Sequence, residues 1–274
     1  MLIKTLVENT SISEDFDTEH GLSFYIEVGG IKLLFDTGGS DKFIKNSKKL
    51  GVDIKTVDLV IISHGHNDHG GGLKAFMDIN KKAKIYVNKR AFGDYYASKP
   101  KGKISYIGFD KGLLDSDRFI FVDDYLEINE NLQLFSKVSG RSLLPSTNKN
   151  LLMKVKDEFL ADDFSHEQNL IIKEDGKTLL IAGCAHRGIV NIVDSCIDII
   201  KSPAKYVIGG FHLYSSSEDR YEDGETIKRI GAHLLDTGSK YYTCHCTGIK
   251  SYEKLKSLMG DKIDYIATGD ELII

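Results

Sequence analysis

The stretch Leu59–Gly72, "LVIISHGHNDHGGG", decides how this chain is read. Its first half is a continuous, β-branched apolar run, the pattern of a strand buried on both faces. Its second half packs three histidines and an aspartate into the six residues from His64 to His69, followed by Gly70, Gly71 and Gly72. Neither a core nor a solvated surface calls for that concentration of imidazole and carboxylate. Divalent metal does, because neutral imidazole nitrogen and carboxylate oxygen bind ions such as Zn²⁺ at roughly 2.0–2.2 Å. His64 and His66, one residue apart on a tight turn, can aim at one ion, and Asp68 and His69 at a second. Gly65 and the triple glycine permit turns that a Cβ would block and let the backbone approach the ions. Two ions about 3.5–4 Å apart can hold a hydroxide between them and clamp attacking and leaving oxygens.

Outward from this stretch, strands and helices alternate. "LSFYIEVGGIKLLFDTGG" reads as a hairpin turning at Gly29 and Gly30. A helix follows from Ser40, with Phe43, Ile44, Ser47 and Leu50 on one face. Leu73, Phe76 and Met77 repeat at helical spacing, and "AKIYVNK" is a strand. Later come a hairpin in "NLIIKEDGKTLLIAGC" and a helix with Ile189, Ile192, Val193, Cys196, Ile197 and Ile200 on one face. Strand "AKYVIGG", a helix marked by Ile227, Ile230, Leu234 and Leu235, strand "KYYTCHC" and a last helix follow, and "DYIATGDELII" closes the chain. Hairpins open each half and strand–helix units follow, which predicts one α/β domain over 1–274 with two mixed sheets inside and helices outside. From about 92 to 163 aromatic residues are interleaved with Lys, Gly and Asp, with short strands possible in "RFIFV" and "LQLFSKV", which reads as an irregular insertion or lid or, equally, as an irregular part of the same sheet system.

Several other strands also end in a histidine beside small residues: His186 after "LLIAGCA", His212 after "YVIGGF" and His245 in "CHCTG". Functional groups gather on loops held by a rigid sheet, so these histidines point to one shared site with His64–His69.

Composition narrows the function. The formal charge of −4 and scattered lysines give no footprint for nucleic acid. No apolar stretch approaches the roughly 20 residues that span a bilayer, and "MLIKTLVENT" reads as a strand rather than a leader. The four cysteines all fall in the last third, too sparse for a disulfide framework and in keeping with reduced thiols in a cytoplasm. The sequence carries no signal for an oligomeric state.

The string His64-Gly-His66-Asn-Asp68-His69-Gly-Gly-Gly, with "FDTGG" upstream, resembles the metallo-β-lactamase-fold superfamily. "EHGLSFYIE", "LLIAGCAHRGIVNI", "IGGFHL" and "HCTG" resemble one branch of it, the dihydropteroate-synthase-like proteins, which include a (dihydropterin)methyl-ribofuranosylaminobenzene-phosphate synthase. The resemblance implies an αββα sandwich with the metals at the sheet edges. It carries ligand roles to His64, His66, Asp68, His69, His186 and His212, and it puts Asp36 behind a ligand histidine as the acceptor of its other ring N–H. His166 competes with His186 as third ligand of the first ion; the small residues around His186 favour the latter. Where hydrolases of the superfamily carry a bridging aspartate this chain has Cys184. It is either a thiolate beside the metals or a small buried apolar residue, and the second reading is preferred.

The expected function is therefore a dinuclear metal hydrolase acting on an ester, lactone, amide or phosphodiester. Asp68 would hold the second ion and handle a proton. Zinc is favoured, with iron or manganese also fitting mixed His/Asp ligation. The alternatives are a transferase joining a pterin-methyl diphosphate to an arylamine and, from another class, a metal-binding sensor without turnover. The expected partner is a small, anionic substrate, met by His20, Arg187, His245 and Thr247. His212 is expected to complete the second ion's site, with His245 outside it.

Overall fold

The computed structural model describes residues 1–274. Two seven-stranded mixed sheets lie face to face. The first runs, edge to edge, through Glu271–Ile273, Leu2–Val7, Ser23–Val28, Ile31–Phe35, Leu59–Ile62, Lys84–Asn88 and Phe119–Val122. The second runs through Ile263–Tyr265, Lys240–Thr243, Tyr206–Gly209, Lys177–Ile181, Asn169–Glu174, Leu132–Phe135 and Tyr125–Glu127.

Strand alternation explains the layers. Successive side chains of a strand point to opposite faces, so a sheet covered on both sides needs apolar residues at every position. Phe24, Ile26, Leu33, Phe35, Leu59 and Ile61 face Leu170, Ile172, Leu179, Ile181 and Ile208 in a core between the sheets. The intervening Tyr25, Leu34, Val60 and Ile62 pack outward under helices Lys42–Lys49 and Leu73–Ile79. On the other side Ile171, Leu180 and Val207 pack under helices Ile189–Ile200, Gly224–Asp236 and Ile249–Met259. Three cores thus separate four layers, an αββα sandwich. No helix is long and apolar enough to cross a membrane.

The hairpins fall where the turn residues placed them, Gly29 and Gly30 both at positive φ and Asp175-Gly176 closing the second. The helix expected from Ser40 starts at Lys42; Ser40 Oγ sits 2.5 Å from Glu19 Oε2 and accepts a bond from Lys42 N–H.

The middle of the chain corrects the expectation of irregularity at 92–163. Phe119–Val122, Leu132–Phe135 and Tyr125–Glu127 lie at the outer ends of the main sheets, the first two where the short strands "RFIFV" and "LQLFSKV" are expected. Tyr95–Lys99, Lys103–Tyr106, Leu151–Val155 and Glu158–Ala161 build a separate four-stranded antiparallel sheet. That sheet buries little: Ala97, Leu151 and Phe164 are its whole core, and Tyr96 packs edge-on against Tyr106 and Phe159 on its other face. A sheet with so small a core carries no long apolar run, which is why its strands were illegible.

In the first sheet, strands Ile31–Phe35, Leu59–Ile62, Lys84–Asn88 and Phe119–Val122 are parallel; in the second, so are Lys177–Ile181, Tyr206–Gly209, Lys240–Thr243 and Ile263–Tyr265. The loops after the carboxyl ends of such strands are where open α/β sheets bind ligands. Here those loops carry Asp36, His64–His69, Cys184, His186, His212 and His245.

Candidate metal centre

Strand Leu59–Ile62 delivers Ser63, and the chain then turns through His64-Gly65-His66 into a one-turn helix, Asn67–Gly70. The glycines serve packing rather than access to ions. A Cβ on Gly65 would stand 2.4 Å from Ala91 O, and one on Gly72 would stand 2.2 Å from Thr37 O. Gly65 lets the histidine turn lie on Ala91, and Gly72 lets its far end lie on the loop that holds Thr37.

Asp36, fully buried and left-handed at φ 63°, organises this turn. Its Oδ1 accepts Ser63 N–H at 2.7 Å, and its Oδ2 accepts Ser63 O–H at 2.7 Å and His69 Nδ1–H at 2.6 Å. Ser63 Oγ in turn lies 2.9 Å from His64 Nδ1. Both histidines are thereby held with Nδ1 as the donor and Nε2 turned into the site. Asp36 thus occupies the supporting place expected of it.

The remaining imidazoles are oriented in the same way. His186 Nδ1 donates to Asn148 Oδ1 at 2.9 Å, and its Nε2 points at His64 Nε2, 3.3 Å away. His245 Nδ1 donates to Asn9 Oδ1 at 2.8 Å and its backbone N–H to Glu8 Oε2 at 3.0 Å. Its Nε2 then faces Asp68 Oδ2 at 3.4 Å, with His69 Nε2 3.6 Å from the same oxygen. Lone pairs therefore face each other across the gap between His64 and His186. The buried Nε2 atoms of His66 and His245 have no hydrogen-bond partner. A tetrahedral zinc with bonds of roughly 2.0–2.1 Å holds its ligand nitrogens about 3.3–3.4 Å apart, close to the observed spacing.

Charge follows from this packing. Burial, then the neighbouring His69 and His66, push the His64 imidazole well below its usual range; burial and His212 do the same to His186. Both are neutral, as ligands must be. Burial works against a charged His69, but the Asp68 and Asp36 carboxylates outweigh it and raise its pKa to about 9. In the metal-free protein a proton on His69 thus takes the cation's place.

Donor atoms gather in overlapping sets, all within 4.8 Å of one another in each: His64, His66 and Asp68; His64, Cys184 and His186; Asp68, His69, Cys184 and His245; Cys184, His212 and Cys246. The donor sets fit metal binding, with His64 shared between a set holding His66 and one holding His186, and with Asp68, His69 and His245 in another.

The grouping differs from the expected one in which His212 stands with Asp68 and His69; His212 falls instead in the set with Cys184 and Cys246. His245, not His212, stands with Asp68 and His69, because the Glu8-Asn9 loop of the first sheet reaches across to pin it. His212, left-handed at φ 48°, packs against His186 with ring centroids 4.2 Å apart and planes tilted by 56°, and turns toward Cys246. His166 stands apart from the His64–His186 pair and groups with His66 and Asp162 in a further donor set; its Nδ1 accepts Gly65 N–H at 2.9 Å and its Nε2 lies 3.1 Å from Asp162 Oδ2.

A cleft of about 210 Å³ opens over the centre. His20, Asp68, His186, His212 and His245 line its floor, and Lys99, Ile107, Leu151 and Ser215–Ser217 line its walls. His20 Nε2 lies 3.4 Å from Asp68 Oδ2 at its mouth. Two residues expected at the substrate are elsewhere. Thr247 is fully buried, its hydroxyl accepting Phe211 N–H and meeting Thr243 Oγ1. Arg187 lines a separate cavity with Arg141 and Lys149, its guanidinium on Val138 O. The residues that sequence reasoning missed are the supports Glu8, Asn9, Asn148 and Asp162, single polar residues in loops with no pattern to mark them.

Known proteins share this architecture. The model of the metallo-beta-lactamase superfamily matches residues 17–219, and the chain belongs to that superfamily. Among its relatives is the 7,8-dihydropterin-6-methyl-4-(beta-D-ribofuranosyl)-aminobenzene-5'-phosphate synthase of Methanocaldococcus jannaschii, 30% identical over 91% of this chain and 88% of the relative. The crystal structure of Tm1679, a metal-dependent hydrolase of the beta-lactamase superfamily, superposes with a TM-score of 0.80 at 31% identity, covering 100% of this chain and 99% of that one. Zn²⁺-bound PqqB from Methylobacterium extorquens shares the fold at 14% identity, with a TM-score of 0.59 and 100% of both chains covered.

Proposed function

We propose that the protein is a dinuclear metal hydrolase acting on a small, polar or anionic substrate. The observation that carries the reading is the cluster at the floor of one cleft, where the Nε2 atoms of His64 and His186 face each other at 3.3 Å, those of His66 and His245 have no hydrogen-bond partner, and Asp68 lies 3.4–3.6 Å from His245 and His69. Unpaired acceptors buried in this way cost free energy, and a pair of cations removes that cost. Two divalent ions, zinc by donor type, would supply Lewis acidity and a water of lowered pKa.

The chain's own residues do the rest. His64, His66 and His186 would hold one ion, and Asp68, His69 and His245 the other. Asp36, Asn148 and Asn9 fix the ring tautomers that leave the Nε2 atoms of His64, His69, His186 and His245 free. Asp68 Oδ2, between His69, His245 and His20, is placed to hold a proton at the reacting face. His20 at the mouth, with Lys99 and the hydroxyls of Ser215–Ser217, offers donors to an oxygen-rich substrate. The four-stranded sheet narrows the entrance and restricts water.

A second reading, group transfer, is favoured by one observation, the 30% identity to an archaeal synthase. One experiment separates the two. The zinc-loaded protein is offered ester, lactone, amide and phosphodiester substrates, and an arylamine with a pterin-methyl diphosphate, in ¹⁸O-water. Hydrolysis leaves ¹⁸O in a product and is the expected result. An unlabelled adduct of two reactants would replace hydrolysis with transfer, and no product from either set would oppose both.

A further inference from the structure

A second cavity, of about 290 Å³, lies beside the metal centre, lined by Arg141, Lys149 and Arg187 and by Leu144, Pro145 and Phe164. His186 is the one residue that lines both this cavity and the cleft over the centre. We propose that the cavity is a separate binding site for a small phosphomonoester. The three cations hold its phosphate, and the three apolar residues receive its organic group. The site stands apart from the two-cation reading above, since none of its cations belongs to the metal-binding sets.

None of these cations is neutralised by the protein. The chain's arginine–carboxylate pair is Arg220 with Glu218. Arg187 gives its Nη2 to a carbonyl, Val138 O, at 3.1 Å, and Arg141 and Lys149 stand exposed without a partner. The acids nearby are committed to other donors. Asp162 accepts Phe164 N–H with Oδ1 at 2.8 Å and faces His166 and His66 with Oδ2. Asp163 accepts Ser165 N–H, and buried Glu167 takes the N–H groups of His186 and Arg187, one on each oxygen. Three like charges around one cavity repel one another until an anion enters. Guanidinium pairs with phosphate through two parallel bonds, and lysine adds a point charge. Near neutral pH a phosphomonoester brings about two charges and three acceptor oxygens, more than a carboxylate can offer these donors.

The cavity is built without a ligand. Buried Asn191 ties together the two segments that carry the arginines. Its Oδ1 accepts Ser142 N–H at 3.0 Å, and its Nδ2 donates to Ser142 O at 2.9 Å and to Arg187 O at 2.8 Å. Gly140, left-handed at φ 87°, lets the chain pass this side chain, for a Cβ there would stand 2.9 Å from Asn191 Oδ1. Further along, Glu222 accepts both Ser146 N–H and Ser146 O–H. Asn148 spans His186, accepting Nδ1–H at 2.9 Å and donating to the backbone oxygen at 2.8 Å. Phe164 lies flat on the His186 ring, with centroids 4.5 Å apart and planes 5° apart. Walls fixed in this way reduce the ordering cost of binding. The volume lies at the small end of the roughly 300–1,000 Å³ typical of ligand sites, which suits a phosphate carrying one ring or sugar.

Calorimetric titration of phenyl phosphate into the full-length, metal-stripped protein tests this, because the cleft then offers no cation to the phosphate. The expected result is one equivalent bound per chain. A hydrogen bond to a charged group is worth roughly a factor of ten, so affinity should fall by about tenfold or more in the double variant Arg141→Ala/Lys149→Ala. It should hold within about twofold in Lys99→Ala, which alters the wall of the cleft instead. Arg141 and Lys149 are exposed, so far-ultraviolet circular dichroism of the double variant should match the unmodified protein. Benzoate and inorganic phosphate should each bind more weakly than phenyl phosphate, the first for want of charge and the second for want of apolar contact. No binding, an unchanged affinity in the double variant, or a loss in Lys99→Ala would overturn the site. Benzoate equal to phenyl phosphate would overturn the assignment to phosphate, and inorganic phosphate equal to it would overturn the apolar half. All of these outcomes leave the two-cation reading standing.

Discussion

Asp36→Asn is the sharpest perturbation of the centre, because it keeps shape and removes one charge. Asparagine tolerates the left-handed backbone at this position nearly as well as aspartate. The carboxylate accepts three hydrogen bonds, from Ser63 N–H, Ser63 O–H and His69 Nδ1–H. An amide offers one acceptor oxygen, so its NH₂ must face either the Ser63 donors or the imidazole. Ser63 N–H is fixed in the strand and claims the oxygen. His69 then meets an N–H donor and responds by moving its proton to Nε2, the atom that faces Asp68. Removal of such a supporting acceptor costs about 10–100-fold in metal affinity, or roughly 1.4–2.7 kcal/mol. The loss should fall on the ion held with Asp68 and His245. Competition of zinc between a chelating dye and the protein gives both stepwise constants. The expected outcome is one constant weakened by at least tenfold and the other changed less. Two constants within twofold of the unmodified protein would refute the role given to Asp36.

His245→Ala should bind one cation fewer per chain by elemental analysis, whereas His212→Ala should keep two; the reverse would exchange their assignments. His166→Ala strips partners from the buried Gly65 N–H and Asp162, and should cost about 3 kcal/mol in urea unfolding while both cations stay; loss of a cation instead would make His166 a ligand. Burial raises the Glu167 carboxyl from 4.5 to about 7. The folded state therefore holds this proton more tightly than the unfolded chain. Its contribution is fully present below pH 4.5 and is lost as pH rises through 7, about 3 kcal/mol in all. In the metal-free protein Glu167→Gln should flatten the fall in stability between pH 4.5 and 8, and parallel profiles would contradict this.

Much of this was legible in the sequence. Strands such as Leu59–Ile62 and Lys177–Ile181 are apolar on both faces because two cores claim them, and that pattern survives without neighbours. The string His64–His69 is legible because its residue types have no other joint use. The four-stranded sheet was not, since a surface sheet with three core residues leaves a diluted pattern. Nor was the exchange of His212 and His245. Both follow a strand end after small residues, and what separates them is Asn9 and Glu8, more than 200 positions away in the chain and joined to His245 only by the fold. Cys184 was read as a buried apolar residue; it is buried, but its sulfur faces histidines, which burial alone could not reveal.

The central claim is that two cations occupy this cleft, and anomalous diffraction at the zinc edge from zinc-grown crystals tests it most directly. Two peaks per chain are predicted. One lies within bonding distance of His64, His66 and His186, the other of Asp68, His69 and His245. A single peak, or a second peak held by His212 and Cys246 without Asp68, would contradict it.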